Sequence, residues 1–107
     1  MNPVEFNFYV PADDPSLPGH FPQHPVVPGV LLLDHVLSNL QRSTGRRVDC
    51  LRQVKFTAAL FPDEQAHARC EVDFERASFC LTVQRNGLAV IVATGVLALA
   101  PDGGHLA

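Results

Sequence analysis

The sequence predicts an α+β chain in which a curved antiparallel sheet of about five strands wraps around one long apolar helix. Three observations predict it. A single block of helix-periodic apolar residues begins at Gly29, behind a proline-dense stretch that cannot itself be helical. Most of the chain beyond that block alternates apolar and polar residues with period two, as strands with one wet face do. Asn86-Gly87 then separates two apolar runs by two residues that both tolerate positive φ, which marks a tight hairpin.

Each element can be justified in turn. Residues 6–10, rich in aromatic and β-branched side chains, read as a first strand. Residues 11–28 carry proline at positions 11, 15, 18, 22, 25 and 28. Each proline fixes φ and lacks an N–H, so the run is an irregular but stiff connection, suited to holding functional groups in place. Val30, Leu31, Leu32, Leu33, Val36, Leu37 and Leu40 then form a helix that is apolar over most of its circumference, with Pro28 at its first turn and Gly45 at its stop. So apolar a helix must be enclosed by protein; Asp34, His35, Ser38 and Asn39 are its polar interruptions.

In the next strand Val48, Cys50, Val54, Phe56 and Ala58 share one parity, opposed by Asp49, Gln53, Lys55 and Thr57. After Pro62-Asp63, the residues Ala66, Ala68, Cys70, Val72 and Phe74 alternate with polar neighbours, and Phe79, Leu81 and Val83 continue the pattern. Residues 88–99 are nearly all apolar and call for cover on both faces. One such sheet cannot bury both the helix and a two-sided apolar strand, so two chains joined edge to edge are expected.

Composition narrows the function. With 107 residues the chain is expected to form a single domain, 1–107, with 101–107 as a loose tail. Charged residues are 18% and the formal net charge is -3, which argues against both disorder and a nucleic-acid surface. No stretch approaches the ~20 apolar residues of a membrane span, and the first residues lack the pattern of a signal peptide, so a cytoplasmic location is expected. Cys50, Cys70 and Cys80 lack C-x-x-C spacing and read as buried or half-buried free thiols. His20 and His24 are four apart, but the intervening prolines forbid the helix that would align them on a metal. No serine sits in a nucleophile elbow.

Chemistry concentrates in residues 19–34, Gly-His-Phe-Pro-Gln-His-Pro-Val-Val-Pro-Gly-Val-Leu-Leu-Leu-Asp. A lone loop histidine is usually a surface residue, and an aspartate on an apolar helix is usually partnered, faces a cavity or keeps its proton. Together, however, they fit the removal of water across C2 and C3 of a 3-hydroxyacyl thioester. His20 is of the right type to take the C2 proton near neutral pH. Asp34, held in apolar surroundings, would donate to the departing hydroxyl. The backbone N–H of Gly29, at the positive end of the helix, would meet the charge on the thioester oxygen.

The same segment closely resembles the active-site pattern of bacterial 3-hydroxyacyl-[acyl carrier protein] dehydratases, G-H-F-P-G-x-P-V-x-P-G-V-L-x-x-E. It matches in the histidine, the three prolines, the helix-start glycine and a carboxylate fourteen residues beyond the histidine. Val54-Lys55-Phe56 with Pro62-Asp63-Glu64 resembles the family's V-K-F…P-G-D. The resemblance implies a hot-dog fold, no cofactor and no metal, and an acyl carrier protein as partner. It also implies paired subunits, a homodimer or a heterodimer with another hot-dog subunit, each site taking its histidine from one chain and its carboxylate from the other. His20, Asp34 and Gly29 are then catalytic, and Phe21, Val27, Val30 and Leu33 are candidates to contact the acyl chain. The sequence departs from the pattern in carrying aspartate, as in the branch that also isomerises the double bond, and Gln23 in place of glycine. The chain is also shorter than the housekeeping enzymes, which suggests a more open pocket and a fatty acid-related polyene or polyketide-like product.

Arg42, Arg46, Arg47, Arg52 and Lys55 hold five of the eight basic charges. They read either as a solvated helix end or as a docking patch for the acidic carrier and its phosphopantetheine. His35 lies about 100° around the helix from Asp34, and His67 falls on the polar face of its strand. Two rivals to the dehydratase are a hot-dog acyl thioesterase and a non-catalytic hot-dog subunit that binds acyl chains or completes a partner's dimer.

Overall fold

A computed structural model describes residues 3–15, 17 and 26–101. His20, Phe21, Gln23 and His24, and the tail beyond 101, lie outside the described residues. The order is β1 (Val4–Phe8), α1 (Gly29–Thr44), β2 (Val48–Phe56), β3 (Ala66–Asp73), β4 (Arg76–Arg85) and β5 (Leu88–Leu99). The five strands form one antiparallel sheet in the order β1-β3-β4-β5-β2. Since β1 and β2 occupy opposite edges, the chain between them must cross the sheet, and α1 makes the crossing over one face. Among the described residues no helix is long and apolar enough to cross a membrane.

The core lies between α1 and that face. Leu32, Val36 and Leu40, spaced four apart, bury one side of the helix against Ala66, Ala68, Cys70, Phe79, Leu81 and Leu97. The helix stops where Gly45 takes φ 71° and donates its N–H to the Gln41 carbonyl at 2.8 Å. The Gln41 side chain in turn accepts the Val48 N–H at 2.9 Å, joining the helix end to β2. The Arg46 guanidinium donates to the carbonyls of Ala100 and Phe74, fixing the end of β5 to the β3–β4 turn. Asn86 and Gly87 adopt φ 53° and 77°, the two-residue hairpin expected from the sequence.

Several expectations need correction. The first strand runs Val4–Phe8, two residues earlier than its aromatic content suggested. The simple alternation in β2 breaks at two irregularities, which insert Asp49 and Arg52. Val48, Leu51, Val54 and Phe56 therefore pair with the core-facing Leu99, Leu97, Gly95 and Ala93, while Cys50 pairs with Ala98 and is exposed. A period-two reading cannot anticipate two inserted residues. Phe74 leaves the alternating set to sit in the β3–β4 turn with φ 55°, 82% exposed. The helix is enclosed on one side only, leaving Val30 73% exposed. Likewise β5 is covered on one face, with Thr94, Val96 and Ala98 half-buried on the other. Cys70 matches its reading as a buried thiol, and burial pushes its pKa up to about 11.

Gly95 shows how closely the sheet and its core fit. It pairs with Phe79, and a Cβ there would lie 2.3 Å from the Phe79 ring and 2.9 Å from the Gln53 carbonyl oxygen. Gly95→Ala is expected to destabilise the fold by about 1–3 kcal/mol through overpacking, read as a lower urea midpoint with unchanged m.

Candidate active site

The start of α1 is the chemically open end of the helix. Pro28 is its N-cap with no side-chain capping bond, and no acidic residue occupies the first turn. The Pro28 carbonyl accepts the N–H groups of Leu31 at 3.0 Å and Leu32 at 3.3 Å. Among the described residues nothing accepts the N–H groups of Gly29 and Val30, so two oriented donors remain at the positive end of the helix dipole. A Cβ on Gly29 would lie 2.8 Å from the Phe56 ring, so the glycine lets β2 close against the helix start.

Gly29 opens onto a cleft of about 580 Å³. Val26, Val27, Leu32 and Phe56 make it apolar, and residues 57–60, which connect β2 towards β3, form its far wall. That wall is held by backbone bonds. The Val92 carbonyl, at an irregularity in β5, accepts the N–H groups of Thr57 at 2.8 Å and Ala58 at 3.3 Å. The Val27 N–H donates to the Leu60 carbonyl at 2.8 Å, tying the wall to the segment that enters the helix. The Thr57 hydroxyl is occupied by the Ile91 carbonyl at 2.7 Å, leaving the cleft little side-chain polarity.

Asp34 lies five residues on from Gly29, about 7.5 Å along the axis and about 140° around it. It is exposed and lines a separate hollow of about 340 Å³ with Val30, Leu31, Leu33, Leu37 and Leu51. Among the described residues its carboxylate has no hydrogen-bond or ionic partner. One chain thus brings Val27 and Gly29 together in the cleft and sets Asp34, Val30 and Leu33 on another side of the helix, next to the edge strand β2. His20 and Phe21 belong to the stretch just before the described residues of the cleft.

The other polar groups separate into structural and exposed ones. His35 stacks on Phe8, with ring centroids 4.6 Å apart and planes 6° from parallel, so it faces β1 and not the Asp34 hollow. His67 joins Asn7 at 2.8 Å and Glu5 at 2.9 Å on the wet face of β1 and β3. Of the five basic residues, Arg46 is committed to backbone carbonyls, whereas Arg42, Arg47, Arg52 and Lys55 are exposed. Arg47 pairs with Asp49 at 3.2 Å. Arg52 borders a hollow of about 590 Å³ together with Asp73, Glu75 and Arg76, a mixture of both signs.

Sequence reasoning missed the group behind the cleft wall. Arg85, the last residue of β4, donates through Nε to Glu64 Oε2 at 2.8 Å and through Nη2 to Glu64 Oε1 at 2.6 Å. Nη2 also donates to the Ala59 carbonyl at 2.6 Å, and the guanidinium lies 4.9 Å from the centre of the Phe61 ring. Glu64 Oε1 accepts the Phe61 N–H at 2.9 Å. Pro62-Asp63-Glu64 was the one signal available, but nothing links it to a residue 21 positions away. The hydrogen bonds from Arg85 hold the Glu64 carboxyl below its ordinary value of 4.5, against an opposing effect of burial. A depressed carboxyl stabilises the fold above its unfolded pKa and ceases to do so as pH falls through the folded one. The thermal stability that wild type holds over Glu64→Gln should therefore be full at pH 7 and shrink progressively below about pH 4.5; melts from pH 7 to pH 3 check this.

The ApeI-like family, described as ApeI dehydratase, matches residues 1–95. An uncharacterised protein from Erwinia carotovora subsp. atroseptica is similar in structure with a TM-score of 0.79 at 21% identity, covering 94% of this chain and 84% of that one. The dehydratase heterocomplex ApeI:P from Xenorhabdus doucetiae contains a chain with a TM-score of 0.75 at 22% identity, covering 92% and 87%. The (R)-hydratase from A. caviae involved in PHA biosynthesis aligns with a TM-score of 0.68 at 15% identity, covering 94% of each chain. A five-stranded antiparallel sheet closed over one helix, shared with these structures and matched by the family over residues 1–95, shows that the chain belongs to the ApeI-like dehydratases of the hot-dog fold.

Proposed function

We propose that the chain dehydrates 3-hydroxyacyl thioesters carried on acyl carrier protein to trans-2-enoyl thioesters, in fatty acid synthesis or a related polyene or polyketide-like route. The observation that carries this is the Gly29 N–H, without an acceptor among the described residues, at the positive end of the helix and bordering an apolar cleft directly after the histidine-bearing segment. In this reading the thioester carbonyl oxygen lies against the Gly29 N–H, which stabilises the enolate-like charge as the C2 proton passes to His20. Asp34 protonates the C3 hydroxyl, which leaves as water as the C2–C3 double bond forms. The acyl chain runs along Val27 in the cleft with Phe21 as a further contact, and Val30 and Leu33 reach it together with Asp34 from the second chain. The reaction as written needs no cofactor.

The outward position of Asp34 supports a site shared between two chains. Apolar Val30, Leu33, Leu37 and Leu51 surround the carboxylate beside an edge strand whose hydrogen-bonding groups are open to pairing. A second chain docked along β2 would cover this patch and bring its own His20 and Gly29 to Asp34. The partner is read as another copy of this chain; the Xenorhabdus heterocomplex supports a different hot-dog subunit as the second reading. Native mass spectrometry of the purified and co-purified protein distinguishes the two.

Either His20→Ala or Asp34→Ala should lower turnover by about 10²–10⁴-fold in a protein that remains folded. Mixing the two inactive variants after dissociation should restore about a quarter of wild-type turnover, since half the randomly formed dimers regain one of their two sites. No recovery, with mixed dimers verified by mass, would place both groups in one chain. Product mass separates loss of water from hydrolysis of the thioester, and no turnover by wild type would favour a non-catalytic subunit.

Carrier docking is assigned to Arg42, Arg47, Arg52 and Lys55, with Arg46 set aside for its role in the sheet end. Arg52→Glu with Lys55→Glu should weaken turnover of a carrier-bound substrate by about tenfold at low salt, while a coenzyme A thioester of the same acyl group is little affected. Equal loss on both substrates would remove the docking assignment.

A further inference from the structure

We propose that Arg85 and Glu64 form a clamp that positions the 57–60 wall of the Gly29 cleft and thereby sets the size of acyl chain that the cleft admits. The inference rests on the reading of that cleft as the acyl thioester site. After Phe56 the chain leaves the sheet ladder, and the wall it forms carries two small side chains, Ala58 and Ala59. Ala59 is exposed, so packing does little to fix it. What reaches it is Arg85, whose Nη2 holds the Ala59 carbonyl at 2.6 Å. Glu64 sets the orientation of that guanidinium by accepting from both Nε and Nη2, and the Phe61 ring lies against it. Glu64 is itself tied back to the Phe61 N–H, so residues 59–64 form a loop closed on the end of β4.

The arrangement has the properties of a positioning device. Both side chains are about three-quarters buried, at 26% and 25% exposure, so solvent screens the pair less than it does a surface ion pair. The geometry needs a planar fork: two bonds to one carboxylate and a third to a carbonyl are within reach of arginine but not of a single ammonium. The wall is continuous with the catalytic end of the helix, because Leu60 accepts the Val27 N–H just before Pro28 and Gly29. A shift of the wall therefore alters both the width of the cleft and the approach of substrate to the oxyanion donor. Displacements on the order of 1 Å at such places change rates by up to about 10²-fold, and each methylene accommodated or refused is worth about tenfold or more. Arg85 and Glu64 are positioning residues here, since neither borders the cleft itself.

The test compares wild type with Arg85→Gln, Arg85→Lys and Glu64→Gln in two measurements. Hydration of trans-2-butenoyl- and trans-2-decenoyl-coenzyme A gives the ratio of kcat/KM for a long chain over a short one. Amide hydrogen exchange gives the stability of the wall, read at Thr57, Ala58 and Val27 against β3 and β4 as internal reference. All three variants should raise the long-to-short ratio by about tenfold, and should speed exchange at the wall by at least about tenfold more than any change at β3 and β4. Unchanged exchange at the wall, or a rise spread evenly over the sheet, would overturn the clamp. So would a wild-type ratio in Arg85→Lys alone, which would show that charge suffices without the fork, or a loosened wall with no change in ratio. If wild type hydrates neither thioester, the assigned reaction fails, and the exchange measurement by itself decides whether the clamp exists.

Discussion

The crossing of α1 from one edge of the sheet to the other constrains nearly everything else in this chain. A strand at one edge and the next strand at the opposite edge leave the connection no route except over a face, and sixteen helical residues cover that distance. The helix must then be apolar where it meets the sheet, which Leu32, Val36 and Leu40 provide. The sheet must in turn accept it closely, which explains why Phe79 lies over a glycine at position 95. Its starting end cannot be buried in the core, because the first N–H groups of a helix need partners that the helix does not supply. Polar donors are thus left at the rim of an apolar interior, a position suited to charge that develops only during reaction.

The two sides of the helix have separate tasks. One side supplies packing energy, and the other displays Asp34 among leucines and valines beside the open edge of β2. An exposed apolar patch around a carboxylate, at the unpaired margin of a sheet, is poorly suited to water and well suited to a second subunit. The proposed division of the active site between chains follows from that geometry as much as from the resemblance to dehydratases, since about 140° of helix separates Asp34 from Gly29.

Much of this was legible in the sequence because it depends on local rules. The helix from Gly29 to its stop at Gly45, the hairpin at Asn86-Gly87 and the buried parity of Ala66, Ala68 and Cys70 are read from periodicity and from residues that adopt special φ. The course of β2 was not legible, because the insertion of Asp49 and Arg52 changes which side chains face the helix without changing composition. Phe74 was misplaced since a hydrophobic residue in phase with a strand gives no sign that the strand has ended. In the site, Gly29 and Asp34 stood out through a pattern of neighbouring residues. Glu64, Arg85 and the Ala59 carbonyl did not, because their association exists only after β4 has returned past the β2–β3 connection.

The connectivity also bears on the order in which the molecule assembles. Strands β3, β4 and β5 are joined by two-residue turns, so Arg85 pairs with Leu88 and Asp73 with Arg76, contacts that close very short loops. Val4 pairs with Cys70, 66 residues further along the chain. Loop-closure entropy favours the three-stranded meander as the first structure to form and makes the docking of β1 a late event. The candidate catalytic segment lies between β1 and α1, anchored at both ends by elements that dock onto that meander. The proposed chemistry therefore draws on a segment whose flanking elements dock onto the meander, so a chain holding only the meander would have a formed sheet and no assembled site.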